Sequence, residues 1–176
     1  MLERRLQSLA VLTEILSWDL GEPMVSFDCR WRKEARRAII DDYQGDRVYI
    51  VFSSAGALLE GAVHDCPFAK DKVRAVTLRE SVPVPLQRFV DDALINDTWV
   101  TFNGWMMPGD LRWSSGYELP SCDNDLDGAD FILSIVEGDA ERFQEWAEEN
   151  YECDIDVLTV EQIFMHHPLS EDMILS

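Results

Sequence analysis

The chain has 176 residues, of which 47% are hydrophobic and 10% aromatic, and its formal net charge is −19 at pH 7. The apolar content excludes a disordered acidic tail, and the apolar runs fall far short of the roughly 18 residues that cross a bilayer. A strong negative charge also opposes binding to nucleic acid or to an anionic membrane. The length suits one domain over residues 1–176. The charged, amphipathic start lacks a signal-peptide pattern, which predicts a cytoplasmic protein.

The first half of the chain predicts one helix followed by an antiparallel sheet. Leucines recur at three- and four-residue steps from Leu2 to Leu16, which indicates an amphipathic helix ending near Ser17. Period-two alternation then begins at residues 26–31. Residues 37–42 and 47–52 flank a short Gly-containing connection, and residues 57–63 follow a second turn. These connections are too short for crossover helices, so we predict a four-stranded antiparallel meander.

The second half predicts further strands and then helices. Residues 67–81 are expected to form an irregular connection, and residues 86–94 a short helix after two prolines. A strand is expected at residues 99–106, with residues 110–113 pairing back onto it. Three helices are expected after residue 129. The fold class is therefore α+β, an antiparallel β-meander with an N-terminal helix and a cluster of acidic C-terminal helices.

Those C-terminal helices are predicted from local signals. One helix is expected at residues 130–137, and Gly138 and Asp139 would end it and cap the next. The third would begin at a capping box over residues 159–162.

The charge is concentrated in the last third of the chain. Residues 117–176 carry 17 acidic residues and a single basic one, Arg142. Like charges four residues apart on a helix destabilise it, so this excess suggests a use for the field. A solvated acidic face with no partner is the alternative. We predict that a basic protein partner contacts a stripe of glutamates on the second C-terminal helix: Glu141, Glu145, Glu148, Glu149 and Glu152.

The loop at residues 123–130 resembles the first half of a calcium-binding EF-hand loop. Asp123, Asp125 and Asp127 occupy the first three ligand positions, and Gly128 follows where a sharp turn is needed. The second half lacks the bidentate glutamate, because Ser134 stands at that position. We therefore favour an acidic turn that caps a helix at Asp130 over a metal site formed by Asp123, Asp125, Asp127 and Asp130.

His64 and Cys66 stand two residues apart at the end of a predicted strand, and His167 could join them in a pocket. An imidazole can activate a neighbouring thiol, but an H-x-C pair is a weak pattern, and a structural cysteine is the preferred interpretation. The four cysteines are scattered without CxxC spacing and are expected to be reduced thiols, mostly buried: Cys29, Cys66, Cys122 and Cys153.

Several short segments are spread along the chain, among them His64-Asp65-Cys66-Pro67, Asp127-Gly128, Trp146-Ala147-Glu148-Glu149 and His167-Pro168-Leu169. Together these segments resemble a family of small acidic bacterial proteins to which no activity is assigned. This resemblance implies no cofactor and no site. The acidic α+β character is also similar in style to that of bacterial immunity proteins, which neutralise toxins.

No motif fixes a reaction, and no cofactor is predicted. The leading hypothesis is a non-enzymatic acidic binding protein for a basic protein partner, with immunity to a cationic toxin as its most concrete form. Two alternatives stay open. One is an enzyme or small-ligand-binding protein with a pocket near His64 and Cys66, and the other is a calcium-stabilised module. The oligomeric state is left open.

Overall fold

The computed structural model describes residues 2–18, 21–90, 100–117, 125–151 and 155–167. The chain divides into two compact units, one formed by Met1–Phe27 with Leu133–Ser176 and the other by Asp28–Ile132. The α+β class is confirmed, while the single domain expected over residues 1–176 stays a prediction. None of the described helices combines the length and the apolar character that crossing a membrane requires.

A five-stranded antiparallel sheet is the centre of the second unit, although the first three residues of its strand β1 are counted in the first unit. Its strands are β1 (Val25–Arg32), β2 (Ala35–Asp41), β3 (Arg47–Ser53), β4 (Gly56–Ala62) and β5 (Phe102–Met106), and they are ordered as in the chain. The predicted meander is thus confirmed and gains β5 as its fifth strand. Residues 110–113 do not form the predicted strand, but the chain does pair back onto β5 one residue later, where Ser114 makes a single antiparallel bridge to Trp105.

The β2–β3 hairpin is closed by one carboxylate. Asp42 Oδ1 accepts hydrogen bonds from the backbone N–H groups of Gln44, Gly45 and Asp46, at 2.8, 3.1 and 2.8 Å. Gly45 has a φ of 125°, which suits glycine and strains most other residues. The predicted hairpin is confirmed, and the turn places Asp46 beside the end of β4.

Two helices, α2 (Lys72–Ser81) and α3 (Val84–Val90), pack against the sheet. Leu86 and Phe89 of α3 join Val51 and Leu58 of the sheet in one apolar cluster, and α2 contributes Ala75 and Leu78 to a second. The irregular connection predicted over residues 67–81 is therefore wrong from Lys72 onward. The buried side of α2 includes a charged residue, Arg74, so its sequence lacks a clear apolar stripe.

In β4, Gly61 lies directly under an aromatic ring of its partner strand. Gly61 is paired with Phe102 across the β4–β5 ladder. A Cβ at position 61 would lie 2.0 Å from Phe102 Cζ, well inside van der Waals contact. Glycine is therefore required here for a close approach and not for its backbone angle.

The first unit is built from helices taken from both ends of the described chain. They are α1 (Leu2–Leu16), α5 (Ala140–Tyr151) and α6 (Val157–Phe164). α1 contacts α6, where the Ser8 hydroxyl donates a 2.8 Å hydrogen bond to the carbonyl of Ile163. Leu6, Leu9 and Leu12 are fully buried, which confirms the predicted stripe.

The helix starts in the acidic third differ in part from those predicted. The helix expected at residues 130–137 is shorter, because α4 (Ala129–Leu133) gives way to a 3-10 turn at Ser134–Val136. α6 begins at Val157, and its N-cap is Asp156, whose carboxylate accepts from the backbone N–H groups of Leu158 and Thr159. Thr159 thus lies inside the helix, and the predicted capping box is wrong. An aspartate three residues earlier already satisfies the first N–H groups.

Candidate functional site

The α5 groove is a concavity along one side of α5 with a volume of about 580 Å³. This volume falls within the range of roughly 300–1,000 Å³ that is typical of ligand-binding sites. The α5 groove is lined by residues of α5 and of the segment that leads into it: Ser134, Ile135, Glu137, Gly138, Asp139, Glu141, Arg142, Phe143, Glu145, Trp146 and Glu149.

The start of α5 fixes the orientation of these side chains. Asp139 Oδ1 accepts a 3.1 Å hydrogen bond from the backbone N–H of Arg142, which caps the helix. Gly138 has a φ of 93°, and a Cβ there would lie 2.5 Å from Arg142 Cδ. The turn therefore brings Arg142 close against the backbone at the entrance to the helix.

Acidic side chains dominate the α5 groove. Glu141, Glu145 and Glu149 recur every four residues, so they form one row along the helix. Glu137 and Asp139 extend the row before the helix begins, and Arg142 is the one basic residue among the lining side chains. Five carboxylates against one guanidinium give the lining a net charge of −4.

An aromatic surface lies beside this acidic row. The ring of Trp146 is half-buried and contacts the buried ring of Phe143, with centroids 5.4 Å apart. Phe143 in turn meets Phe164 of α6 edge-on at 5.9 Å. Phe143 and Trp146 are thus anchored in the helical unit while both line the groove, and an indole face next to carboxylates is a favourable site for a cation.

The glutamates predicted to bind a partner are divided by the structure. Glu141, Glu145 and Glu149 line the α5 groove, whereas Glu148 is exposed and does not. Glu152 lies outside the described residues. Glu137, Asp139 and Trp146 were missing from the predicted set. Asp139 was assigned only a capping role, and the contribution of Trp146 depends on how α5 packs on α6.

His64 is paired with aspartates. Its Nδ1 lies 2.6 Å from Asp46 Oδ1, and its Nε2 lies 3.1 Å from Asp65 Oδ2. The hydrogen bond to Asp46 raises the pKa of His64 above its ordinary value. Asp46 is itself buried and also accepts a hydrogen bond from the His64 backbone, so the imidazole is held in place at the β2–β3 turn.

Cys66 has a different set of neighbours. Burial raises the pKa of its thiol, and contacts with the Phe68 backbone and the Thr101 side chain only partly oppose that effect. A raised pKa disfavours the reactive thiolate. His167 is exposed and belongs to the helical unit, whereas His64 and Cys66 belong to the sheet unit. The pocket near His64 and Cys66 stays a prediction.

The described cysteines are free thiols, and they are less buried than expected. Cys29 is exposed and Cys66 is half-buried. Cys122 and Cys153 lie outside the described residues.

In the acidic loop, two carboxylates bind helix N–H groups. Asp127 Oδ1 accepts from the backbone of Ala129 at 3.1 Å, and Asp125 Oδ2 accepts from Phe131 at 2.9 Å. Asp130 is exposed, and Asp123 lies outside the described residues. Across the ranges that the structure describes, no three His, Cys, Asp or Glu side chains are grouped as metal ligands would be. Hydrogen bonds of this kind are expected when aspartates cap the start of a helix. The calcium site stays a prediction.

A buried arginine that the sequence did not single out lies next to this loop. The Arg74 guanidinium is 4.1 Å from the ring centre of Phe68 and 4.0 Å from that of Tyr117. One of its nitrogens is 3.7 Å from Asp127 Oδ2. Burial raises the pKa of Asp127 even though Arg74 opposes the shift, so desolvation outweighs this ion pair.

Comparison with protein-family models, with curated proteins and with solved structures gave no match to this chain.

Proposed function

We propose that this chain is a non-enzymatic binding protein whose α5 groove receives a basic segment of a protein partner. One observation carries the proposal: three of the five predicted glutamates, Glu141, Glu145 and Glu149, line a concave groove beside Trp146. A concave acidic surface concentrates its field on a cation that enters it.

The two kinds of side chain in the groove have different tasks. The carboxylates attract a cationic partner over distance and accelerate its association. The indole of Trp146 contacts the aliphatic stem or the cationic head of an arginine or lysine, which slows dissociation. Immunity to a cationic toxin is the concrete form that we propose: the acidic unit would cover the surface with which the toxin binds nucleic acid.

The experiment measures binding of a short synthetic arginine-glycine peptide to the full chain by isothermal titration calorimetry, at about 10 mM and about 0.3 M salt. The groove triple variant, Glu141→Gln/Glu145→Gln/Glu149→Gln, removes three of the five carboxylates. An exposed ion pair contributes about 0.2–1 kcal/mol. The groove triple variant should therefore weaken peptide binding by about 3- to 150-fold at low salt.

A control triple variant separates the groove from the overall field. Glu14→Gln/Glu148→Gln/Glu161→Gln changes the net charge by the same amount, at exposed positions that do not line the groove. It should retain nearly all of the affinity, and a peptide with citrulline in place of arginine should bind neither protein measurably. Equal losses from the two triple variants would mean that only net charge matters, and the proposed binding site would then be wrong.

A further inference from the structure

Residues 30–37 form a positively charged segment, the basic hairpin, within this acidic chain. It comprises the end of β1, the turn and the start of β2, and it holds five basic residues and one acidic residue, a net charge of +4. Arg30, Arg32 and Lys33 are exposed, while Arg36 and Arg37 are half-buried. β1 is the outermost strand of the sheet as described, so the hairpin lies at its edge.

Aromatic contacts hold part of the hairpin in a defined arrangement. The guanidinium groups of Arg32 and Arg37 lie 4.7 and 5.0 Å from the ring centre of Trp31. Trp31 in turn packs on Phe89 of α3, with centroids 6.1 Å apart. Of the three exposed basic side chains, that of Arg32 is thereby ordered before any partner arrives, which lowers the entropy cost of binding.

The exposed part of the hairpin, Arg30, Arg32 and Lys33 with Glu34, has a net charge of +2, opposite in sign to the −4 of the α5 groove lining. We infer that the basic hairpin of one copy of this chain enters the α5 groove of a second copy. This inference rests on the proposed function of the α5 groove, and it adds a second copy of the chain, besides a toxin, as an occupant of that groove. Charged side chains on an edge strand discourage strand-to-strand pairing, so a groove is a better receptor for this hairpin than another sheet edge.

Each copy offers one hairpin and one groove. Association therefore either closes as a symmetric dimer, in which each copy places its hairpin in the groove of the other, or continues into a larger ring or a chain. A single-stranded nucleic acid, a partner of the other class, would match the charge of the hairpin but would leave the α5 groove, whose lining carries −4, without an occupant. The net charge of −19 opposes both partners and does not decide between them.

The test is sedimentation velocity on the full chain over a range of concentrations, at about 10 mM and about 0.5 M salt. At low salt the mean mass should rise with concentration above the 20.2 kDa of one chain, and it should return to that value at high salt. Both the groove triple variant and a hairpin variant, Arg30→Gln/Arg32→Gln/Lys33→Gln, should associate at least about tenfold more weakly, whereas the control triple variant should behave like the native chain. Circular dichroism checks that each variant is folded.

A mixing experiment makes the test specific. The groove triple variant keeps its hairpin and the hairpin variant keeps its groove, so an equimolar mixture retains one intact contact and should form a 1:1 dimer and nothing larger. A native chain that stays monomeric at every salt concentration would overturn the inference, as would a mixture that does not associate. Loss of oligonucleotide binding in the hairpin variant, with no change in mass for any protein, would also overturn it. If the native chain stays monomeric but the arginine peptide still binds the groove, the proposed function stands and only the self-partner fails.

Discussion

Glu145 is a residue of the α5 groove whose negative charge should destabilise the folded chain. It lies four residues from Glu141 on one side and from Glu149 on the other, so it takes part in two like-charge pairs. Each such pair destabilises a helix by about 0.2–0.5 kcal/mol. The neighbours three residues away, Arg142 and Glu148, have opposite signs and offset each other. Glu145→Gln should therefore raise the free energy of unfolding by about 0.4–1 kcal/mol at low salt.

The gain is measurable by thermal unfolding followed by circular dichroism. For a chain of this length, 1 kcal/mol corresponds to about 2–4 °C in Tm, so we expect an increase of about 1–4 °C. In about 1 M salt the screening length is roughly 3 Å, and the charged side chains are further apart than this distance. Most of the increase in Tm should therefore disappear at that salt concentration. The control is Glu161→Gln, since no charged residue lies three or four positions from Glu161 in α6.

A Tm that is unchanged or lowered by Glu145→Gln at low salt would refute the electrostatic reasoning. An increase that persists in high salt would assign the effect to helix propensity or packing instead. If the predicted result is obtained and the same substitution weakens peptide binding, these glutamates lower the stability of the helix while they strengthen binding.

Two further predictions concern the sheet unit. Gly61→Ala places a methyl group against Phe102 and should lower the free energy of unfolding in urea by about 1–3 kcal/mol. Gly104→Ala is the control and should lower it far less, because a Cβ at position 104 would meet its nearest neighbour at an ordinary 3.4 Å. Equal losses from the two substitutions would contradict the close approach of Gly61 to Phe102. Asp46 raises the pKa of His64, so the stability from this pair should be complete below about pH 6.5 and should be lost as pH rises through the raised value. Asp46→Asn should flatten that part of the pH profile.

The sheet could be predicted because its information is local. Each turn of the meander has its own signal, such as the Gly-containing connection at residues 43–46, and consecutive strands pair with their neighbours. α2 could not be predicted in the same way, because Arg74 occupies a buried position where an apolar residue would have marked the helix. The burial of Arg74 is explained by the rings of Phe68 and Tyr117, both of which contact the guanidinium.

The candidate site was predicted in part. The glutamate row follows from helix periodicity, but which glutamates face a concavity depends on the 3-10 turn and on Gly138, and neither can be placed from composition. The basic hairpin does not show in the charge of residues 1–116 as a whole, because 17 acidic residues there offset the 14 basic ones. A window of eight residues would have revealed the net charge of +4 at residues 30–37.

The helical unit joins residues that are synthesised far apart in time. The hydrogen bond from Ser8 to Ile163 spans 155 positions in the chain, whereas residues 28–132 form their unit from one continuous stretch. During synthesis on a ribosome, the sheet unit can therefore fold before α6 has been made. Until α6 is present, Leu6, Leu9 and Leu12 of α1 lack their final packing. Such a long sequence separation slows folding and leaves apolar surface open to chaperones or to aggregation in the interval. Translation rate and chaperone supply should thus affect the yield of this protein more than its final stability would suggest.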